Sequence, residues 1–294
     1  MSRTAHPFES GVTRIRWLLA HRLHEPPSSP QRSPHRAHAE ARMSHQDTYT
    51  HNEEYAEFLA NCDANFYAKY ADALKPARPG ARVLDAGCGV GQVVARLVDA
   101  GYEAHGVDVS EPSIARAQKF CPRCKSYDGR RLPYPDAHFT SAGALNVLEH
   151  VEEAEAFLQE IVRVVEPGGK IVLSSPNFMR VVGFRDYHPH MRGLRSKWRN
   201  WRRLCEKRLA MLATPEQVRF DRMTPIFKEP FEPDDDAIIA TNGLEIAFFL
   251  ERNGCDIVRV ACTDRYVFQP LNFLLNATPL RYLMLNGFVV ARKK

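Results

Sequence analysis

Apolar positions change their spacing twice along this chain. Between residues 52 and 74, Tyr55, Phe58, Leu59, Phe66, Tyr70 and Leu74 recur at intervals that gather on one face of a helix. From Arg82 the spacing shortens, and strand-length apolar runs alternate with amphipathic stretches. Arg82–Asp85 predicts a strand and Gln92–Ala100 a helix ended by Gly101. His105–Asp108 predicts the next strand, followed by a helix opened by Ser110 and Pro112. Strands follow around Lys125–Asp128 and Phe139–Leu145, then a helix over Glu152–Val165 halted by Pro167-Gly-Gly169, then a strand over Lys170–Ser174. After residue 176 the rhythm stops. It resumes near residue 240 with a helix over Leu244–Asn253, closed by Gly254, and strands over Asp256–Cys262 and Phe288–Ala291.

Alternating β and α segments of this length predict an α/β fold, a doubly wound parallel sheet with helices on both faces. Residues 176–240 read as an insertion after the fifth strand, and insertions are where specificity usually lives. Residues 1–42 break the pattern at the other end. They are rich in Arg, His, Ser and Pro, a composition that buries too little apolar surface to fold, so a disordered leader is expected before a domain at 43–294. Arg-rich, acid-poor leaders also occur in transit peptides, but the prolines interrupt an amphipathic helix. A plain tail, or a true start at Met43, is the preferred reading.

Composition narrows the class. The mean hydropathy is −0.38, and no apolar run approaches the roughly 20 residues of a membrane helix, so an integral membrane protein is not expected. Seven scattered cysteines do not form a dense disulfide framework, which points to a reducing, cytoplasmic setting. Cys121-Pro-Arg-Cys124 is a lone CxxC and reads as a loop before a strand rather than half a zinc site. The net charge of +5 is uneven. Residues 1–42 sum to +4, residues 180–208 to +8, and the remainder to −7. Basicity is therefore local and wants a local cause.

The densest chemical signal is Val83-Leu-Asp-Ala-Gly-Cys-Gly-Val-Gly-Gln92. A strand ends at Asp85, and Gly87, Gly89 and Gly91 follow where a tight turn must let backbone approach a ligand. The ligand would lie at the carboxyl edge of the sheet, by the first helix's N-terminus. A nicotinamide fingerprint would need glycine at 92, which is Gln92.

Asp85-x-Gly87-x-Gly89-x-Gly91 resembles the S-adenosylmethionine (SAM) motif of class I methyltransferases, and four further segments match in order. Asp108, in Gly106-Val-Asp-Val-Ser110, lies where the family's acidic residue binds both ribose hydroxyls. Asp128, in Tyr127-Asp-Gly-Arg-Arg-Leu-Pro-Tyr-Pro135, resembles the position facing the adenine amino group, though an Asx before Gly also forms simple turns. Leu145-Asn-Val-Leu-Glu-His-Val151 resembles the segment lining the donor pocket, and Glu166-Pro-Gly-Gly-Lys-Ile-Val-Leu173 the turn into the fifth strand. The resemblance covers about residues 55–175 and 240–292, within the type 11 and ubiquinone-pathway O-methyltransferase group. It implies a Rossmann-like, seven-stranded sheet with its last strand antiparallel, SAM as methyl donor, and donor contacts at Asp85, Gly87, Cys88, Gly89, Gly91, Asp108, Val109, Asp128, Gly129 and Asn146. In the ubiquinone-pathway enzymes an acidic residue stands three positions before a Glu-His pair and the cluster can hold a metal. Here that position is Asn146, so no metal is expected.

An alcohol or phenol acceptor needs help losing its proton. His150, His188 and His190 are the candidate bases, with packing at a helix start as the competing role for His150. Asn177, Tyr187 and Arg192 are the candidate acceptor contacts. The basic segment 180–208 also carries Phe184, Tyr187, Trp198 and Trp201. It reads as a solvated helix face, or as a surface for an acidic or phosphate-linked small molecule, lipid or glycan, with peripheral membrane contact as one form. Nucleic acid is disfavoured because the rest of the ordered chain is acidic. The expected reaction is methyl transfer from SAM, with oxygen as the acceptor atom by resemblance only. A SAM-binding protein without turnover and a nucleotide-dependent oxidoreductase are the alternatives.

Overall fold

The computed structural model describes residues 47–183, 186–226 and 234–294. The expected leader at 1–42 lies outside the described residues, as do Phe184 and part of the acidic run before Asp234.

One helix over 52–74 is expected; two form. The helix α1 (Glu53–Ala60) is capped by Asn52, whose side chain accepts from the Tyr55 amide, and α2 (Ala64–Leu74) is capped by Asp63, which accepts from Asn65. Two good N-capping side chains close together are what divide the apolar stripe. The strand β1 (Arg82–Ala86) leads through the glycine loop into α3 (Gln92–Asp99), then β2 (Glu103–Asp108), α4 (Glu111–Ala117), β3 (Cys124–Ser126) and β4 (Phe139–Leu145). The helix α5 (Ala154–Val164) runs straight into β5 (Val165–Pro176). Pro167-Gly-Gly169 does not precede that strand but bulges within it: Phe139 pairs with Val165 and Ser141 with Lys170. A Cβ on Gly169 would lie 2.6 Å from Val165 and 2.9 Å from the Thr140 carbonyl, so the bulge needs glycine.

The insertion contains a 21-residue helix, α6 (Gly193–Ala213). After it come α7 (Gly243–Arg252), β6 (Cys255–Ala261), α8 (Gln269–Ala277), the single turn α9 (Leu280–Leu283) and β7 (Asn286–Lys293). The apolar run near Phe268–Leu275 therefore forms a helix the sequence pattern did not predict.

The seven strands lie in the order β3-β2-β1-β4-β5-β7-β6, parallel except for β7, which runs antiparallel to β5 and β6. Order reverses between β1 and β4, the switch point of a doubly wound sheet. One apolar layer, around Leu84, Phe139, Leu158 and Ile246, packs α5 and α7 on one face. A second, around Tyr70, Val83, Leu97 and Ala117, packs α2, α3 and α4 on the other. The insertion leaves the carboxyl end of β5, and the α8–α9 connection leaves that of β6. Both therefore stand over the same sheet edge as the glycine loop.

Candidate active site

The glycine loop is held from below by β2. The amides of Gly87 and Cys88 both donate to the Val107 carbonyl, at 2.7 and 2.9 Å. Gly87, Gly89 and Gly91 adopt φ of 76°, 49° and 84°, the left-handed region that side chains resist. Space forbids side chains as well. A Cβ on Gly87 would come within 2.2 Å of Val147, and one on Gly91 within 2.9 Å of the Ala117 backbone.

Asp85 is buried at the strand end, accepts from the Tyr70 hydroxyl at 2.9 Å, and is pushed up to about 7 by burial. Asp108 takes one loop amide on each oxygen: Gly89 on Oδ2 at 2.8 Å and Ser110 on Oδ1 at 2.9 Å. Burial raises its pKa while those amides oppose the rise. Cys88 is buried, and Gly106 leaves room for its thiol: a Cβ there would meet Cys88 Sγ at 2.7 Å and Cys124 Sγ at 2.9 Å. Neither Cys121 nor Cys124 belongs to a metal-competent cluster among the described residues. Val109 is half-buried beside Asp108, and Asn146 closes β4 with φ of 53°. The Asn146 amide donates to Ser174, while its buried Oδ1 has no partner among the described residues. Asp128 is different. It is exposed, caps a turn by accepting from the Arg130 and Arg131 amides at 2.9 and 3.0 Å, and is held below the usual carboxylate range by them; Gly129 follows at φ 72°. Its geometry is that of the simple Asx turn.

These residues fit the adenosyl donor in kind. Three loop glycines that cannot carry side chains, a two-oxygen carboxylate at the next strand end, and an orphaned amide oxygen suit a ligand with a vicinal diol and amine groups.

Beside the loop lies a second cluster, assembled from distant segments. His150 Nδ1 is 3.1 Å from the Tyr49 hydroxyl and 3.6 Å from Asp236, and its Nε2 is 3.9 Å from Glu149. Tyr49 also donates to Asp236, and Tyr187 donates to Asp234 at 2.6 Å. The returning end of the insertion is fastened here by the Ile238 and Ile239 amides, which donate to the Glu149 carbonyl at 2.9 and 3.0 Å. Burial pulls the His150 pKa down, but the carboxylates of Asp236, Glu149 and Asp234 outweigh it, so the net shift is upward. Glu149 is pushed up to about 7 by burial, against the opposing pull of His150, and accepts from Ser175 at 2.6 Å. Burial raises the Tyr55 pKa first, and both Asp236 and Asp108 raise it further.

One ligand atom each from Glu149, His150 and Asp234 lies within 4.8 Å of the others, a set that could surround a cation. The second carboxylate, absent at Asn146, thus comes from the insertion as Asp234. Asp234 and Glu149 each spend an oxygen on a hydroxyl, and we assign no metal.

The other candidates are not gathered there. His188 is buried against Phe178 and accepts from the His190 amide at 3.3 Å. His190 stacks on His188, and burial with Arg199 and Arg203 lowers its pKa. Asn177 donates its side-chain amide to Tyr282 at 3.0 Å, bracing the insertion to α9. Arg192 donates to the Asp186 and Tyr187 carbonyls at 2.9 and 2.6 Å, pinning its own loop. Tyr49, Asp234 and Asp236 went unrecognised in the sequence. The only signal was the Pro-led acidic run Glu232-Pro-Asp-Asp-Asp236.

Residues 84–173 match the profile of the methyltransferase domain family. That stretch is a methyltransferase domain. A probable S-adenosylmethionine-dependent methyltransferase of Mycolicibacterium smegmatis is 34% identical to the chain over 33% of its length and 39% of the relative's. A demethylmenaquinone methyltransferase of Tropheryma whipplei is 27% identical over 60% of the chain and 66% of the relative. The chain thus spans between 39% and 66% of the length of these curated relatives. In fold, it matches a SAM-dependent methyltransferase structure from Mesorhizobium loti at TM-score 0.50 and 19% identity, over 80% of this chain and all of that one. The matched residues include the glycine loop; the insertion that supplies Asp234 and Asp236 and the reversed last strand both lie outside them.

Proposed function

We propose that the chain transfers the methyl group of SAM to a small-molecule acceptor, at oxygen, in a cytoplasmic setting. The observation that carries the reading is the pairing of a donor loop whose three glycines admit no side chain with a histidine set among carboxylates at the same sheet edge. SAM supplies an electrophilic methyl carbon and leaves as S-adenosylhomocysteine. Asp108 would hold the ribose hydroxyls on the free lone pairs of its two oxygens. Gly87, Gly89 and Gly91 would admit the donor to the backbone, and Asp85 would stiffen the loop through Tyr70.

His150 is our candidate general base. Asp236 accepts from Tyr49 and stands by Nδ1, so it orients the ring and stabilises the imidazolium formed on taking the acceptor proton. Glu149, near neutrality itself, lowers the cost of that charge without forcing a permanent one. Positioning would do the rest, since a bound sulfonium needs alignment more than activation. The acidic lining favours an acceptor that arrives neutral at its reacting end, with any phosphate or carboxylate directed toward the basic insertion. Nucleic acid remains disfavoured.

Calorimetric titration of the full chain with SAM, S-adenosylhomocysteine and NADH in parallel tests the donor. Heat from both adenosyl ligands and none from NADH is expected. Binding of NADH alone would return the loop to the oxidoreductases. Binding of SAM without transfer to any hydroxylated acceptor, phenolic or lipid-linked, would favour the non-catalytic alternative.

A further inference from the structure

The helix α6 is anchored along one side and unpartnered along another. Its buried side carries Asn200, Leu204 and Met211, and the Asn200 amide donates to the Phe178, Arg180 and His190 carbonyls at 3.1, 3.1 and 3.2 Å. Leu194, Trp198, Trp201, Leu209 and Leu212 follow another line, with Cys205 between them, at steps of four, three, four, four and three residues. Such steps keep side chains on one helical stripe. The stripe faces solvent: Leu194 is 87% exposed, Trp198 69% and Leu212 71%. Exposed Arg195, Arg199 and Arg202 border one side of it, where Arg202 also pairs with Glu206 at 3.2 Å, and Arg208 the other.

A continuous apolar stripe of this size on a soluble surface marks a contact. Its borders say with what. A second copy would set arginines against arginines. The leader at 1–42 is itself +4, so it cannot complement the helix by charge. We propose that α6 lies on an anionic lipid bilayer, its stripe at the acyl boundary and its arginines among the headgroup phosphates. Tryptophan on a polar–apolar boundary and arginine beside it are the composition of interfacial helices. None of the described helices is long and apolar enough to cross a membrane, so the contact is peripheral.

Position supports the same orientation. The α8 segment carries a second unpartnered apolar group, with Phe268 75% and Phe273 74% exposed. The turn α9 that follows it is tied to the insertion by the amides of Val181 and Val182, both donating to the Leu283 carbonyl at 2.9 and 3.0 Å. Both apolar groups belong to connections at the carboxyl edge, where the donor loop and His150 also lie. A bilayer there would present a lipid-borne acceptor to the site directly, which deepens the acceptor class proposed above. Docking itself needs no turnover, so it is read separately from catalysis.

The test is co-sedimentation of the full chain with phosphatidylcholine vesicles, with and without phosphatidylglycerol. Strong binding to the anionic vesicles, weak binding to the neutral ones and release by salt are expected. Arg195→Gln with Arg202→Gln should lower partitioning roughly thirtyfold, at about 1 kcal/mol per arginine. Trp198→Ala with Trp201→Ala should lower it by a similar factor, with an unchanged melting temperature. Should the tryptophan variant melt early, the arginine variant decides. No binding to anionic vesicles overturns the proposal, as does binding that neither variant weakens. A concentration-dependent dimer lost in the tryptophan variant would assign the stripe to a second copy instead. Binding of polyglutamate with no affinity for vesicles would assign it to an acidic protein.

Discussion

Two residues decide whether the site works as argued, and they fail in different ways. Asp108 meets the loop amides of Gly89 and Ser110 and would meet the donor's diol. Asp108→Ala should therefore weaken SAM binding by roughly a hundredfold or more, because charge-assisted hydrogen bonds contribute about 1.5–3 kcal/mol each. Calorimetry showing unchanged affinity would remove Asp108 from the donor site. His150→Gln should leave S-adenosylhomocysteine affinity within about twofold and lower kcat by roughly 100- to 10,000-fold. The sign of the pH dependence follows from the carboxylates around His150, which raise its pKa above the ordinary value. A base must be neutral to act, so kcat should climb with pH through a midpoint above about 6.5, and His150→Gln should flatten that limb. A midpoint below that value would mean that the histidine does not serve as base.

The same scale shows what was legible in the sequence. Gly87, Gly89, Gly91 and Asp108 lie within one strand–loop–helix–strand unit, so linear spacing carries their geometry. The acceptor cluster has no such spacing: Tyr49 and Asp236 meet across 187 residues and Tyr49 and His150 across 101. Tertiary packing alone brings them together. Choosing His188, His190 and Arg192 by residue type picked groups that the loop spends on its own backbone and stacking.

At the scale of elements, the β/α alternation was readable because the central strands β1, β4 and β5 are mostly buried and the helices packed on them show one apolar face. The division of the first helix turned on caps at Asn52 and Asp63, a local signal that apolar spacing conceals. The helix α8 escaped notice because Phe268, Leu271, Phe273 and Leu274 are exposed, and exposed apolar residues do not mark a core-facing stripe. In α6 the informative residue is Asn200, which satisfies three carbonyls from the segment leading out of β5. Asn200→Ala would leave those carbonyls buried and under-satisfied, at about 1–3 kcal/mol. We expect a lower melting temperature and impaired transfer, with SAM affinity close to wild type because the glycine loop is unconnected to this brace. Loss of SAM binding in a folded Asn200→Ala protein would show that the insertion and donor loop are coupled.

For the whole domain, the carboxyl edge gathers buried acids from three places: Asp85 under the glycine loop, Glu149 in the acceptor cluster and Glu245 at the start of α7. Burial pushes each up to about 7, although Tyr70 opposes the rise at Asp85 and Lys207 that at Glu245. Their unfolded values lie near 4, so the native state binds more protons than the unfolded chain between roughly pH 4 and 7. Stability is then full below the unfolded pKa and is lost as pH rises through the folded one. Each group can contribute up to about 1.4 kcal/mol per pH unit across that window. The ligand-free chain should accordingly melt at a lower temperature at pH 8 than at pH 5.5, as read by calorimetry. Asp85→Asn keeps an acceptor for the Tyr70 hydroxyl and removes the titration, so it should shrink the difference; Glu245→Gln should do the same where Lys207 retains Asp221 at 3.0 Å. A pH slope untouched by either variant would mean that these acids titrate as ordinary surface carboxylates do. The edge that the fold opens for ligands would then not be the place where it stores its instability.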